Sequence, residues 1–82
     1  MDAGEAFGKV LRHVRREAGL TQEQLGFEAD LRRTYVSLLE LGQQQPSLTT
    51  ILKLAAALRR RPGELLDLTA NELNKEKKTS AS

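Results

Sequence analysis

The residues with the most chemistry to offer lie close together, between positions 32 and 39. Two arginines are followed by a threonine, and a serine and a leucine come about one helical turn later. If this stretch is a helix, Val36 and Leu39 point inward and the polar side chains point outward. Guanidinium and hydroxyl groups can hydrogen bond to base edges, and a methyl-bearing tip can contact thymine. The outward face therefore suits the DNA major groove, and it consists of Arg32, Arg33, Thr34, Ser37 and Leu38.

Residues for catalysis or metal binding are scarce. The single histidine, His13, has Glu17 four residues later, and such a pair on a helix surface is usually solvated. General acid–base catalysis would need that pair to lie in a cleft. The chain has no cysteine, its six glycines are scattered, and no nucleophile motif surrounds its hydroxyl residues. We therefore expect a protein that is not an enzyme and that uses no metal and no cofactor.

Length and charge point to one small domain with an unremarkable net charge. The chain has 82 residues, with 13 Lys and Arg against 11 Asp and Glu, for a net charge of +2. That balance alone does not indicate nucleic acid, and basic clusters such as Arg59–Arg61 could equally be solvated surface. No apolar run is long enough to cross a membrane, and the acidic N-terminus is not a signal peptide. We expect a cytoplasmic, nucleoid-associated protein.

The elements that must position the outward face are helices. Apolar residues at three- and four-residue spacing predict a first helix over residues 5–18, and Thr21 with Gln24 has the spacing of a capping box at the next helix. Asp30 suits the left-handed backbone of a sharp turn. The pattern predicts further helices over residues 22–29, 32–40 and 48–58, and a fifth from Pro62.

The boundaries of the domain follow from where this pattern stops. Apolar periodicity is lost after residue 68, and Leu73 could extend the fifth helix by one turn. We predict an all-α domain over residues 1–69 and a polar, frayed or disordered tail over residues 70–82. The apolar face of the fourth helix is assigned to Leu48, Ile51, Leu52, Ala55 and Leu58.

Four segments together resemble a known family. They are GLTQEQL at 19–25, RRTYVSLLELG at 32–42, PSLTTILKLAAAL at 46–58 and RPGELLDL at 61–68. Over roughly residues 5–68 the chain resembles the helix-turn-helix regulators of the phage-repressor and Cro class, the XRE family. The resemblance implies a compact five-helix lambda-repressor-like domain that binds double-stranded DNA. The second helix of its helix-turn-helix would enter the major groove.

The resemblance also implies roles for individual residues. Arg33 and Thr34 match positions that reach base edges. Arg32 departs from the small capping residue usual there, and it could read a base or bind a phosphate. An ion pair between Arg15 and Glu40 would hold the third helix against the first. Arg59 stands where glycine is common, and Arg60 where an aliphatic residue is common, so its stem would cover the core. Phosphate contacts are expected from Gln22, Tyr35, Gln43, Gln44, Gln45, Ser47 and Thr49.

For two of these assignments, the alternative is that the residues pack inside the protein. Leu38 could contact a thymine methyl group or pack on a neighbouring helix. Family members usually dimerise near the end of the fifth helix. The leucines there give this helix end more apolar surface than it needs for its own core. They could form a dimer interface or complete the core of a monomer, and they are Leu65, Leu66, Leu68 and Leu73.

The function implied is a sequence-specific transcriptional regulator, as a dimeric repressor of a pseudo-palindromic operator. Autoregulation and control of a restriction–modification system fit this function. The alternative is an antitoxin or adaptor that uses the same fold to bind a protein, with its tail at residues 75–78 (KEKK) gripping the partner. Replacing Arg33 by Ala would cripple DNA binding in the first case and leave partner binding intact in the second.

Overall fold

Five α-helices make up the protein in a computed structural model, which describes the backbone of residues 1–81 and the side chains of residues 1–75. No strand occurs among residues 1–81, and the predicted all-α fold is confirmed. The boundaries predicted for the second, third and fourth helices agree with the structure to within one residue. The helices are α1 (Ala3–Glu17), α2 (Gln22–Ala29), α3 (Arg33–Glu40), α4 (Leu48–Leu58) and α5 (Pro62–Ala81).

Short polar side chains begin three of these helices. The Asp2 carboxylate accepts a hydrogen bond from the backbone N–H of Glu5, whose carboxylate accepts the backbone N–H of Asp2 in return. This pair starts α1 two residues before its predicted beginning. Thr21 and Gln24 form the predicted reciprocal pair at α2, and the Ser47 hydroxyl accepts a backbone N–H of α4. Each cap satisfies an otherwise unpaired donor and stabilises its helix by ~1 kcal/mol.

All five helices contribute to one core. Helix α1 packs against α3 and α5, and α2 packs against α3 and α4. Burying each large apolar side chain contributes about 1.5–3 kcal/mol, so the inner face of α3 is firmly anchored. The largest fully buried side chains are Leu11, Val14, Leu25, Val36, Leu39, Leu54 and Leu65.

The predicted inner face of α4 is partly wrong. Leu48 is 71% exposed and Leu52 is 49% exposed, whereas Leu54 is fully buried. Apolar residues surround most of this helix, so three- and four-residue spacing fits more than one face. Packing against α2 and α5 selects the face that carries Leu54, Ala55 and Leu58.

Among residues 1–81, two non-glycine residues adopt the left-handed backbone conformation. Asp30 ends α2 with φ 57° and ψ 47°, as predicted for the turn before α3. Arg59 ends α4 with φ 56° and ψ 40°, at the place where the family usually has glycine. A side chain in this conformation costs on the order of 1 kcal/mol.

Arg60, next to this turn, ties α1 to α5. Its half-buried side chain donates hydrogen bonds to Glu17, at 3.2 Å, and to Glu64. The bond with Glu64 is the main reason that the pKa of Arg60 is raised above its ordinary value. The charged head thus reaches the surface, as predicted, and there it forms ion pairs with two helices.

Helix α5 continues well beyond the predicted end of the periodic pattern. The backbone is helical through Ala81, so the expected frayed or disordered tail is wrong for residues 70–81. The division into a domain over 1–69 and a separate tail remains only a prediction. Thr69 is buried and donates to the carbonyl of Leu65 at 2.8 Å. Glu72 and Lys75 pair across one turn, with 3.5 Å between their charged atoms. The side chains of Glu76, Lys77 and Lys78, expected to grip a protein partner in one alternative, lie outside the described residues.

Candidate nucleic-acid interface

The angle between α2 and α3 is set by a three-residue turn. The backbone N–H of Leu31 donates to the carbonyl of Gly26 at 2.8 Å, and that of Asp30 donates to Phe27 at 3.3 Å. A Cβ atom on Gly26 would lie 2.7 Å from the carbonyl oxygen of Leu31. Glycine therefore allows the turn to fold back against α2, and the sequence pattern did not reveal this role.

Helix α3 is divided into a buried side and an exposed side. Val36 and Leu39 are fully buried, as predicted. Of the five residues predicted to face the major groove, Arg32, Arg33 and Thr34 are exposed, and Ser37 and Leu38 are half-buried. The exposed residues thus cluster at the N-terminal end of α3, which is the end that a major-groove helix presents to bases.

Arg32 lies at the N-cap of α3 but does not cap it. Its backbone is extended, with φ −72° and ψ 143°, and its side chain makes no capping hydrogen bond. This confirms the expectation that an arginine at this site caps the helix only weakly. The N-terminus of α3 thus has no capping acceptor from Arg32, and this end of the helix favours an anion.

A nearly buried ion pair joins α1 to the end of α3. Arg15 Nε donates to Glu40 Oε2 at 2.6 Å, and Arg15 Nη2 donates to Glu40 Oε1 at 3.0 Å. Arg15 Nη1 also donates to the carbonyl of Leu20 at 2.9 Å. The hydrogen bond to Glu40 is the main cause of a raised pKa for Arg15. The ion pair that the resemblance implied is thus present, with two-point geometry.

Gln22, one of the predicted phosphate contacts, already has a partner inside the protein. Its Nε2 donates to Glu40 Oε1 at 3.1 Å. This hydrogen bond was not predicted, because Gln22 and Glu40 are far apart in sequence and no periodic pattern links them. It joins the N-terminus of α2 to the ion pair of Arg15 and Glu40.

A cleft of about 400 Å³ lies at the N-terminus of α2. Arginine side chains from α1 and from the first residue of α3 contribute to its wall. The cleft brings together Arg33 and Gln22, which were assigned to bases and phosphates, with Arg15 from the ion pair. It is lined by Arg15, Thr21, Gln22, Glu23 and Arg33.

The remaining predicted phosphate contacts differ in how freely their side chains can reach a ligand. Thr49 and the loop of residues 43–45 (Gln43, Gln44 and Gln45) are exposed. Ser47 is exposed, but its hydroxyl caps α4 and donates to Thr50 Oγ1 at 3.0 Å. Tyr35 is half-buried against the core, with its hydroxyl 3.5 Å from Thr50 Oγ1.

The leucines assigned to a dimer interface do not form one exposed set. Leu65 is fully buried in the core, so its assignment to an interface is wrong. It completes the core because α5 packs against α1. Leu68 packs against the same core and Leu73 is half-buried, whereas Leu66 is 46% exposed.

Other site chemistry has little basis in the described residues. His13 and Glu17 lie 3.5 Å apart, and both side chains are largely exposed. No group of three or more His, Cys, Asp or Glu side chains that could hold a metal ion occurs in the part of the chain searched. Among the described helices, none combines the length and the apolar character that crossing a membrane requires.

The sequence matches the model of a helix-turn-helix family over residues 11–65. It is 44% identical over 64 residues to control protein C.BamHI of Bacillus amyloliquefaciens, a match covering 77% of this chain and 79% of the relative. It is 40% identical over 53 residues to control protein C.MunI of a Mycoplasma species, covering 63% and 72%.

The fold is similar to that of a solved controller protein. The crystal structure of the restriction-modification controller protein C.AhdI from Aeromonas hydrophila superposes with a TM-score of 0.74 at 48% sequence identity. The match covers 76% of this chain and 94% of that structure. The family match at residues 11–65 includes the α2–turn–α3 segment.

Proposed function

Because the chain belongs to the helix-turn-helix family, we propose that it is a sequence-specific DNA-binding transcriptional regulator whose α3 enters the major groove. The observation that supports this proposal is the division of α3 into a buried side and an exposed side. Val36 and Leu39 hold the helix in the core, and Arg33 and Thr34 stand exposed at its N-terminal end. That end can approach base edges without any rearrangement of the fold.

Arg33 is the principal base-reading residue in this proposal. Its guanidinium can donate two hydrogen bonds to the O6 and N7 atoms of one guanine, which is worth about 1–3 kcal/mol of discrimination. Thr34 can donate, accept or touch a thymine methyl group. Ser37 and Leu38 lie further along the same face and would contact neighbouring base pairs. Leu38 is half-buried, so only its outer part would reach a thymine methyl.

The DNA backbone would be held on both sides of α3. Arg32 and Gln22 stand beside the N-termini of α3 and α2, where the helix ends favour phosphate. Thr49 and the loop of Gln43, Gln44 and Gln45 provide exposed donors near α4. Ser47 and Tyr35 would contribute by sharing hydroxyl groups that already bond within the protein. These contacts position the protein and do not read sequence.

The binding unit would be a homodimer. One α3 reads only a half-site, and a two-fold axis predicts a pseudo-palindromic operator with half-sites about 10 base pairs apart. With Leu65 in the core, exposed leucines of α4 and α5 remain for the interface. Leu66 belongs to the predicted set, Leu48 and Leu52 add exposed apolar surface, and Leu68 and Leu73 would border the contact.

The genes controlled would be those of a restriction–modification system, including the regulator's own gene. This part of the proposal is supported by the relatives, two of which are named control proteins and one of which is named a restriction-modification controller protein. The same likeness favours a regulator over an antitoxin or adaptor.

Selection from a pool of randomised duplex DNA at moderate salt tests this function. The retained sequences should converge on a pseudo-palindrome whose half-site centres are about 10 base pairs apart. An Arg33→Ala variant should bind the selected operator about 5- to 150-fold more weakly for each half-site, whereas Arg12→Ala on the exposed side of α1 should bind it as the native protein does. Retention that is weak, salt-sensitive and blind to sequence would contradict the proposal.

A further inference from the structure

Glu40 accepts more hydrogen bonds than an ion pair requires. Its side chain is only 3% exposed, and its Oε2 atom accepts from Arg15 Nε. Its Oε1 atom accepts from Arg15 Nη2 at 3.0 Å and from Gln22 Nε2 at 3.1 Å. One carboxylate thus holds a side chain from α1 and another from the first residue of α2.

The bond from Gln22 leaves part of its amide for another partner. An amide nitrogen carries two hydrogens, and one of them is donated to Glu40. Gln22 also lines the cleft at the N-terminus of α2, together with Thr21 and Arg33. The second N–H is therefore available beside backbone donors that already favour an anion.

The charge of Glu40 would by itself oppose a nearby phosphate. Arg15 removes this difficulty, because it forms two hydrogen bonds to the carboxylate and neutralises it. A carboxylate without Arg15 could orient Gln22 but would repel the DNA backbone. The pair can orient the amide at almost no electrostatic cost.

We propose that Glu40 is a positioning residue for DNA binding, which holds the Gln22 amide so that its second N–H meets a phosphate at the N-terminus of α2. The inference rests on the proposed function. A side chain that is ordered before binding loses less conformational freedom when the complex forms. Glu40 therefore contributes to affinity through Gln22 in addition to joining α3 to α1.

The test is a cycle of variants measured on the operator selected above. Replacing Glu40 alone would leave the charge of Arg15 buried without a partner. Both residues of the pair are therefore replaced together, as Arg15→Met with Glu40→Met. Replacing a buried ion pair by apolar residues of similar volume is often neutral for stability or stabilising. Gln22→Ala is then introduced into the native chain and into this double variant, and operator affinity is measured for all four proteins.

The proposal predicts that the effect of Gln22→Ala depends on Glu40. In the native chain the substitution should weaken operator binding about tenfold, the effect of losing one hydrogen bond to a charged group. In the Arg15→Met/Glu40→Met protein it should weaken binding less than about twofold, because the amide is no longer held. An equal loss in both proteins would overturn the proposal, and a native chain that binds no operator would overturn the proposed function as well.

A second measurement needs no variant and covers the case in which the double variant does not fold. Side-chain amide order parameters from NMR relaxation report whether Gln22 is held in the free protein. Its amide should be nearly as ordered as the backbone, whereas those of the exposed Gln43 and Gln44 should be mobile. A Gln22 amide as mobile as these internal controls would also overturn the proposal.

Discussion

At the scale of single residues, the start of α3 presents exposed polar side chains that the fold does not use. Arg32 forms no cap, and Arg33 and Thr34 are exposed. Water is their partner in the free protein, so a nucleic acid can replace it without breaking a bond inside the core. The outward side of this helix was predictable from sequence, because Val36 and Leu39 fix which side faces inward.

Single contacts across the fold were predictable only in part. The ion pair of Arg15 and Glu40 was expected from the family resemblance and is present. The hydrogen bond from Gln22 to Glu40 was not expected. It depends on where α2 crosses α3, and a local sequence pattern contains no information on that crossing.

Arg59 offers a test at the same scale. Replacing Arg59 by Gly should raise the free energy of unfolding by on the order of 1 kcal/mol, because glycine adopts φ 56° without strain. Urea denaturation measures the change. Arg59→Ala is the matched control and should give little gain, since alanine keeps the Cβ atom that is strained in the left-handed region. If Arg59→Gly lowers the free energy of unfolding, the backbone of Arg59 is not strained in the native protein.

At the scale of elements, two helical glycines determine how closely α3 approaches its neighbours. A Cβ atom on Gly8 of α1 would lie 2.4 Å from the carbonyl oxygen of Leu39. A Cβ atom on Gly26 of α2 would lie 2.7 Å from that of Leu31. Both neighbouring atoms belong to the backbone and cannot rotate away. The sequence showed neither contact, because glycine in a helix gives no periodic signal.

Gly26→Ala should therefore lower the free energy of unfolding by about 1–3 kcal/mol, through the crowding of the α2–α3 turn. Urea denaturation followed by circular dichroism measures this. Gly63→Ala in α5 is the control, since no atom lies within 4 Å of its added Cβ. The control should be neutral or stabilising by up to about 1 kcal/mol. Equal effects at the two positions would show that the close approach is unimportant.

The elements that were predicted least well are α4 and α5. Leu48 and Leu52 were assigned to the core but are exposed, because several faces of α4 are apolar and only tertiary packing chooses between them. The end of α5 was placed too early, because loss of apolar periodicity does not end a helix made of good helix formers. Strong caps, such as Thr21 with Gln24, explain why the start of α2 was predicted correctly.

At the scale of the whole molecule, replacing an exposed leucine tests whether the protein is a dimer that buries this leucine. Leu66→Glu should shift the protein from dimer to monomer in sedimentation velocity at micromolar concentration, because a carboxylate cannot be buried in an apolar interface without a partner. Phe27→Ser on α2 is the control, since Phe27 is exposed but lies outside α4 and α5. A Leu66→Glu protein that remains dimeric would place the interface elsewhere.

Salt dependence is a second property of the whole molecule. The net charge is only +2, and most proposed phosphate contacts are uncharged, so few counterions are released on binding. Gln44→Lys should steepen the slope of log affinity against log salt by about 2 per dimer. Asn71→Lys on α5 should leave the slope unchanged. An unchanged slope for Gln44→Lys would show that the loop of residues 43–45 does not contact DNA.

Base reading by Arg33 in the major groove is tested by measuring affinity for every single base-pair variant of the selected operator. The native protein should lose about 5- to 150-fold at one guanine of each half-site, corresponding to about 1–3 kcal/mol. Arg33→Ala should become indifferent to the base at that position and keep its preferences elsewhere. If Arg33→Ala keeps every base preference of the native protein, Arg33 does not read sequence and α3 does not bind the major groove as proposed.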